Sequence, residues 1–252
     1  MSGPLRGGAA RAATQRSSPA LCSSSQACGH WAACSRCSPS LSAATPSKFA
    51  EGARTTLLLT LVSGAIGLVL GLTAALARTS RLAWARHAAS FYIWLIRGTP
   101  LLVQILFVYF ALPVLVPGLN LPDFASAVVA LSLNVGAYNA EVIRGALLSV
   151  PQGQRDAACA LGLKPLQALH GVVLPQALRV ALPALASNVV ALLKDSSLAF
   201  AIGVVELTNV GNRVQAVTFQ PVATLATTAC IYLLLTTLLT QFSAALEHRL
   251  DR

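Results

Sequence analysis

An all-α polytopic membrane protein with about five transmembrane helices is the fold class this sequence predicts, and three observations predict it. Hydrophobic residues make up 55% of the chain and charged residues only 10%, against roughly 25% charged residues in a soluble domain. The mean hydropathy is positive, at +0.67. The apolar residues gather into runs near the ~20 residues that cross a hydrocarbon layer, and short loops bearing Lys and Arg separate them, which is how membrane topology is encoded. A formal net charge of +10 raises nucleic acid as a partner. The basic residues form no single face or run, however, so membrane lipid is the expected partner and nucleic acid is not.

Residues 1–47 are rich in Ser, Ala, Arg, Gly and Cys and show no helical or strand period. They are read as a low-complexity extension outside the folded protein, either a disordered tail or the product of a start assigned too far upstream. Arg without acid, among many Ser and Ala, also imitates a transit peptide. Cys22, Cys28, Cys34 and Cys37 lie here, and Cys159 and Cys230 lie far apart downstream. Cys34-Ser35-Arg36-Cys37 near His30 is only the seed of a zinc site, because no second such pair follows. No metal is expected.

The folded part is expected over 48–252. The first span, 56–77, carries no charge, and Gly64, Gly67 and Gly71 give it one smooth face for a neighbouring helix. The loop after it holds Arg78, Arg81, Arg86 and His87 and no acid. The positive-inside rule makes this loop cytoplasmic and puts the N-terminus of the core outside. The second span, 88–116, is too long for a straight crossing. Phe91, Tyr92 and Trp94 suit an aromatic belt or an interfacial entry helix. Pro100 in Arg97-Gly98-Thr99-Pro100 is expected to kink or restart the helix, and Arg97 should face the bundle interior or the interface. Pro113, Pro117, Gly118, Asn120 and Pro122 then form an outer loop without Lys or Arg.

The third span, 124–148, carries Asn134, Gly136, Tyr138, Asn139, Glu141 and Arg144 toward its inner end, with Glu141 and Arg144 one turn apart and able to pair. The fourth, 183–205, is interrupted by Lys194-Asp195-Ser196-Ser197. Two opposite charges at membrane depth are tolerable if paired or lining a wet cavity, so this is the best candidate for a solute path. A buried structural pair is the alternative. Glu206, Asn209, Asn212, Arg213 and Gln215 are read as an outer loop before the fifth span, 222–244. The tail Glu247-His248-Arg249-Leu250-Asp251-Arg252 is cytoplasmic by its charge, which leaves the ends of the core on opposite sides.

Between the third and fourth spans lies a polar interruption, 149–183, that lipid would penalise. Its punctuation reads as two short helices. Pro151 suits a first turn, with Ser149 and Gln152 available to cap it. Gly162 is placed to stop that helix and Pro165 to begin the next. Ala157, Ala158 and Leu161 fall on one face, a shallow apolar knob beside Arg155 and Asp156 that can pack into a groove on a partner. A plain connecting loop is the alternative.

These residues resemble a known family, the permease subunits of bacterial ATP-binding cassette importers, in the polar amino acid group (histidine, glutamine, glutamate, arginine and opine). The resemblance covers 48–252. The family's cytoplasmic signature, Glu-Ala-Ala, a later Gly and an apolar-Leu-Pro, appears as Asp156-Ala157-Ala158, Gly162 and Val173-Leu174-Pro175. Asp in place of Glu keeps the charge and shortens the reach. More specific marks follow in order: Arg97-Gly98-Thr99-Pro100-Leu101-Leu102-Val103-Gln104, Gly136-Ala137-Tyr138 with Glu141 and Arg144-Gly145, Pro151-Gln152-Gly153-Gln154, Leu174-Pro175-Gln176-Ala177, and Leu193-Lys194-Asp195-Ser196-Ser197-Leu198.

The resemblance implies a type I importer permease. Its expected partners are a separate ATPase subunit, a periplasmic or surface amino-acid-binding protein, and a second permease, either another copy or a homologue. It implies a multi-pass protein of the bacterial inner membrane that binds no cofactor itself, with ATP and Mg used by the partner. The chain has no Gly-x-x-x-x-Gly-Lys-[Ser/Thr] loop, so hydrolysis of that kind is not expected in it. Gln154, Asp156, Ala157, Ala158, Leu161, Gly162 and Pro175 are the implied coupling residues, and Arg97, Gly98, Thr99 and Pro100 are structural. Lys194, Asp195 and Ser196, with Asn139 and Glu141, are expected to line or brace the path, because a zwitterion needs both signs of charge, or helix ends and backbone polar groups, to replace its water. A secondary transporter or passive channel for small polar solutes is the alternative, and an inverted repeat that would support it is not found. A membrane scaffold without transport is a third reading.

Overall fold

Backbone groups in hydrocarbon find no water, so they must pair within the segment, and helices are the solution open to a single chain of this composition. The computed structural model describes residues 39–80 and 82–250, and among them there is no strand. The chain divides into Met1–Ser42 and Ala43–Arg252. The first unit lies outside the described residues apart from Pro39–Ser42, as do all four leader cysteines.

The helices are α1 (Pro39–Thr79), α2 (Ala83–Gly98), α3 (Leu101–Leu106), α4 (Leu112–Leu115), α5 (Asp123–Ser149), α6 (Gln152–Ala160), α7 (Pro165–Ala168), α8 (Leu174–Asp195), α9 (Leu207–Thr218) and α10 (Pro221–Leu250). A π-helical turn, Phe107–Ala111, joins α3 to α4, and another, Leu169–Val173, joins α7 to α8. Among the described residues four stretches are long and apolar enough to cross a membrane: Pro46–Thr79, Asp123–Ser149, Leu169–Ile202 and Pro221–Ala245. A fifth exists if Ala83–Gly98 and Leu101–Leu115 count together, although they are bent by 109°.

The apolar helical stretches Asp123–Ser149 and Pro221–Ala245 lie within a residue or two of the spans expected at 124–148 and 222–244. The other three need correction. Residues 39–47, read as leader, already belong to α1. In the second span Pro100 restarts the helix, one of the two outcomes expected of it, but at so wide an angle that 88–116 is not one straight crossing, because Thr99 before it is held extended (φ −117°, ψ 144°). The fourth span starts long before Pro183, which sits inside α8 on an exposed face.

The centre of the bundle is α5. Of its most apolar stretch 72% is buried, against 11% for α10. It runs parallel to α1, since Gly67 lies against Ser132, Val135 and Gly136 while Gly71 lies against Gly136, Asn139 and Ala140. It runs antiparallel to α8: Val135 and Leu192 share one core cluster, while Ile143, Ala146 and Leu147 share another with Ala177 and Ala181. The glycine face expected on the first span is the close crossing of α1 and α5. A Cβ at Gly71 would meet Asn139 Cβ at 2.6 Å and the Gly136 carbonyl at 3.0 Å.

Residues 206–218 are the larger departure from the sequence reading. They are not a loop: Leu207, Val210 and Val214 recur at three and four residues and pack α9 against Phe49 and Ala53 of α1 and Ile231, Tyr232 and Leu235 of α10. Glu206 is completely buried and caps α9, accepting from the Thr208 and Asn209 backbone N–H groups (both 2.8 Å) and from the Tyr232 hydroxyl (2.9 Å). Thr56 of α1 accepts from the Leu207 N–H at 3.2 Å. Burial pushes the Glu206 carboxyl above the usual carboxylate range, against the opposing pull of those donors.

Two outcomes follow from this packing. Gly71→Ala is expected to lower the thermal midpoint of the purified protein, with overpacking costing about 1–3 kcal/mol. Gly64→Ala, whose Cβ would meet only Leu192 Cδ2 at 3.5 Å, should hold or raise it, through the about 0.5–1 kcal/mol that Ala gains over Gly in a helix. A carboxyl that holds its proton more tightly when folded binds more protons in that state, so its contribution to stability declines as pH rises from about 4.3, the unfolded value, through the raised folded one. Unfolding titrations across that interval should show this decline, and Glu206→Gln should flatten it.

Candidate functional site

The polar interruption folds as its punctuation predicts, with different capping. Gly162 adopts φ +80°, Leu163 N–H donates to the Ala158 carbonyl (3.2 Å) and Gly162 N–H to the Cys159 carbonyl (2.9 Å), the paired closure that ends a helix at a left-handed glycine. Pro165 opens α7, and the Gln167 side chain reaches back to accept from Lys164 N–H at 2.9 Å. The start of α6 differs from expectation. Pro151 itself is the capping residue and no side chain caps it. Ser149 instead donates to the Ala146 carbonyl (2.8 Å), and Gln152 donates to Asp156 (3.1 Å).

The knob's composition also differs. Ala158 is 4% exposed and turned inward on the side of α6 that meets α7 and the following turn, whereas Leu161 is 83% exposed. Gln154, Asp156, Ala157 and Gly162 are exposed with Leu161, and Pro175 is exposed at the start of α8. The outward surface is therefore Leu161 ringed by small and polar residues, and Ala158 is its footing.

A second polar region surrounds the break between α2 and α3. Gln104 shares its amide N–H groups among the carbonyls of Ile96 (2.7 Å) and Thr99 (3.0 Å) and the Thr99 hydroxyl (2.9 Å), and its amide oxygen accepts from Asn134 at 3.0 Å. The backbone freed by the bend is thus satisfied by one side chain and tied to α5. This fastening holds Thr99 and Pro100 at the mouth of a cavity of about 310 Å³, whose other polar walls are Asn134, Tyr138, Asn188 and Asp195. That is the lower end of the ~300–1,000 Å³ of small-molecule sites. A neighbouring cavity of about 440 Å³ is lined by Arg78, Ser90, Trp94, Arg97, Tyr138 and Glu141. Tyr138 borders both, and the Arg97 guanidinium stands 5.2 Å from its ring centre.

The predicted path residues do not share one space. Asp195 faces the first cavity, whereas exposed Lys194 lines a third, of about 330 Å³, between α8 and Thr240, Ser243 and Ala244 of α10. Ser196 is fully buried and donates to the Leu193 carbonyl (2.7 Å). Asn139 is buried and accepts from Asn188 (2.9 Å), which clasps α5 to α8. Glu141 pairs with Arg144, as its spacing predicts, and also with Arg78 at the end of α1, which the sequence reading took only as a topology charge. Sequence reasoning missed Asn188 outright, although its i, i+7 relation to Asp195 puts the two on one helix face. It also quoted Gln104 without a role. No cluster of three or more metal-ligating side chains occurs among the described residues.

Comparison with known proteins supplies the remaining findings. The family model of binding-protein-dependent transport system inner membrane components matches residues 67–252. The chain is 42% identical over 200 residues to the glutamine transport system permease protein GlnP of Escherichia coli (strain K12), covering 79% of this chain and 91% of that protein. It is 40% identical to the L-cystine transport system permease protein TcyB of Bacillus subtilis (strain 168), covering 78% and 84%. It is 39% identical to the octopine transport system permease protein OccM of Rhizobium meliloti, covering 76% and 81%. Among solved structures, a chain of an amino acid ABC transporter crystallised with histidines superposes with a TM-score of 0.78 at 37% identity, covering 83% of this chain and 97% of that one. A chain of the inward-facing methionine ABC transporter MetNI superposes at 0.70 and 23% identity, which speaks for the fold alone.

Proposed function

This chain belongs to the family of binding-protein-dependent transport system inner membrane components, and from that membership we infer that it is the membrane-spanning permease subunit of an ATP-driven amino acid importer. The observation that carries the coupling is α6. An exposed apolar residue, Leu161, stands on a short helix fixed by a hydrogen-bonded glycine turn, and α6 joins the two helices packed most intimately, α5 and α8. An importer whose nucleotide is spent elsewhere needs such a handle. In this reading a separate ATPase subunit grips Leu161 and its polar ring, closes around ATP and Mg, and tilts α5 with α8 so that the cavities change the side they face.

The solute path runs along the charged end of α8. Asp195 offers a carboxylate to an ammonium group, and Asn134, Tyr138, Asn188 and Thr99 replace the water that the solute sheds. Lys194 supplies the opposite charge on the α10 side. Asn139, Glu141 and Ser196 brace the helices that carry them. The relatives are named for glutamine, L-cystine and octopine, so a shared frame with differing solutes supports selection by an amino-acid-binding protein that delivers to it. A second permease, copy or homologue, completes the path. The protein lies in the inner membrane as a multi-pass chain, and we orient the core N-terminus outside and the C-terminus in the cytoplasm by its loop charges.

An ATPase subunit is expected to co-purify with the wild type, and Leu161→Asp or Gly162→Glu should abolish that while membrane insertion survives. Retention of the ATPase by both variants would remove α6 from the coupling. Lys194→Met should stop uptake into proteoliposomes at unchanged insertion, and unchanged uptake would remove Lys194 from the path.

A further inference from the structure

We infer that the cavity between the end of α1, α2 and α5 is a binding site for the phosphate headgroup of an anionic phospholipid. Three features meet there. The first is unbalanced charge. Glu141 is already shared by Arg78 and Arg144, and Arg97 has no carboxylate within 4.0 Å among the described residues. Residues 52–122 contain no acid at all. Arg78, Arg97 and Ser90 all line the cavity, and guanidinium forks match phosphate oxygens closely.

The second feature is depth. Asp123 and Glu141 are 18 residues apart on one helix, about 27 Å at 1.5 Å per residue, which is close to the ~30 Å hydrocarbon thickness. With Asp123 at one edge of the hydrocarbon, the arginine cluster stands at the other, where headgroup phosphates lie. The third is the aromatic rim. Trp94 lines the cavity and is 69% exposed, and Phe91, 61% exposed, stacks beside it with ring centres 5.9 Å apart. Such amphipathic rings belong at the headgroup level. The 109° bend sends α2 away from the path of α3, so Ser90, Trp94 and Arg97, at spacings of four and three, present one stripe there.

The test is native mass spectrometry of the full chain purified in detergent and titrated with phosphatidylglycerol or phosphatidylcholine. It reads lipid retention and does not depend on transport. The wild type should retain phosphatidylglycerol about tenfold more strongly, the size of one charge-assisted hydrogen-bonded contact. Arg97→Gln should erase that preference, Arg97→Lys should keep part of it, and Ser90→Trp, which fills the cavity without removing charge, should abolish retention. Equal retention of the two lipids by the wild type overturns the proposal, as does unchanged preference in Arg97→Gln. Displacement of phosphatidylglycerol by millimolar inorganic phosphate or free amino acid would assign the cavity to a soluble anion instead. If Arg97→Gln does not fold, Ser90→Trp carries the decision, and wild-type retention by that variant overturns the proposal equally.

Discussion

An unpaired polar group in hydrocarbon costs several kcal/mol, and this constraint fixes how the helices sit around α5. Three polar side chains of α5 are met by three different neighbours. Asn134 goes to Gln104 of α3, Asn139 to Asn188 of α8, and Glu141 to Arg78 of α1. The Leu133 carbonyl accepts from the Tyr92 hydroxyl of α2 at 2.6 Å. These contacts are spaced along α5, so together they set the register of four surrounding helices as well as their proximity. The small residues between them, Gly67 and Gly71 against Gly136, let the backbones come close enough for short side chains to reach. Ser63 and Ser132 are the exceptions among the described residues, since both hydroxyls are buried without a hydrogen-bond partner.

The same arrangement gives the proposed push on α6 somewhere to go. Two antiparallel helices joined by a loose loop would absorb a push in the loop. Here the loop is itself helical, closed at Gly162 and restarted at Pro165, and continuous with α8 through the turn at Leu169–Val173. Farther along, the Asn139–Asn188 clasp prevents α5 and α8 from sliding past each other, and the Asp195 cavity lies at the far end of the pair. Under the proposed coupling, displacement at α6 would become tilt of a unit between two packings, which is the form a switching element takes in a dense interior.

Much of this was legible in the sequence, for reasons that also mark the limits. The third and fifth spans are bounded by prolines and charges, and the break at Gly162 and Pro165 depends on local backbone chemistry, so each can be read without knowing the neighbours. The pair Glu141–Arg144 follows from helical spacing alone. What was not legible depends on direction. Lys194 and Asp195 are adjacent, and residues one apart on a helix point about 100° from each other; here that difference opens them into separate cavities. Ala158 and Leu161 share a helical face by count, yet the underside of α6 is covered by α7 and the top is not. The signal for α9, Leu207, Val210 and Val214 at spacings of three and four, was present in the sequence but masked by the polar residues between them. Glu206 as a cap was hidden because Glu rarely caps, and here a tyrosine 26 residues away helps to hold it.

Charge separation at the α2–α3 break bears directly on recognition. Arg97 ends α2, where a cation also suits the helix dipole, and Asp195 ends α8. A direct pair between them would neutralise the cavity, and an arriving ammonium group would have to break it before binding. Tyr138 stands between the two cavities instead. Its ring takes the Arg97 guanidinium at 5.2 Å on one side and forms a wall of the Asp195 cavity on the other. Among the described residues neither charge has an ion-pair partner within 4.0 Å. The bend that turns α2 aside keeps Arg97 on its own side of that wall, so the Asp195 carboxylate stays unpaired at its cavity, as the proposed solute path requires.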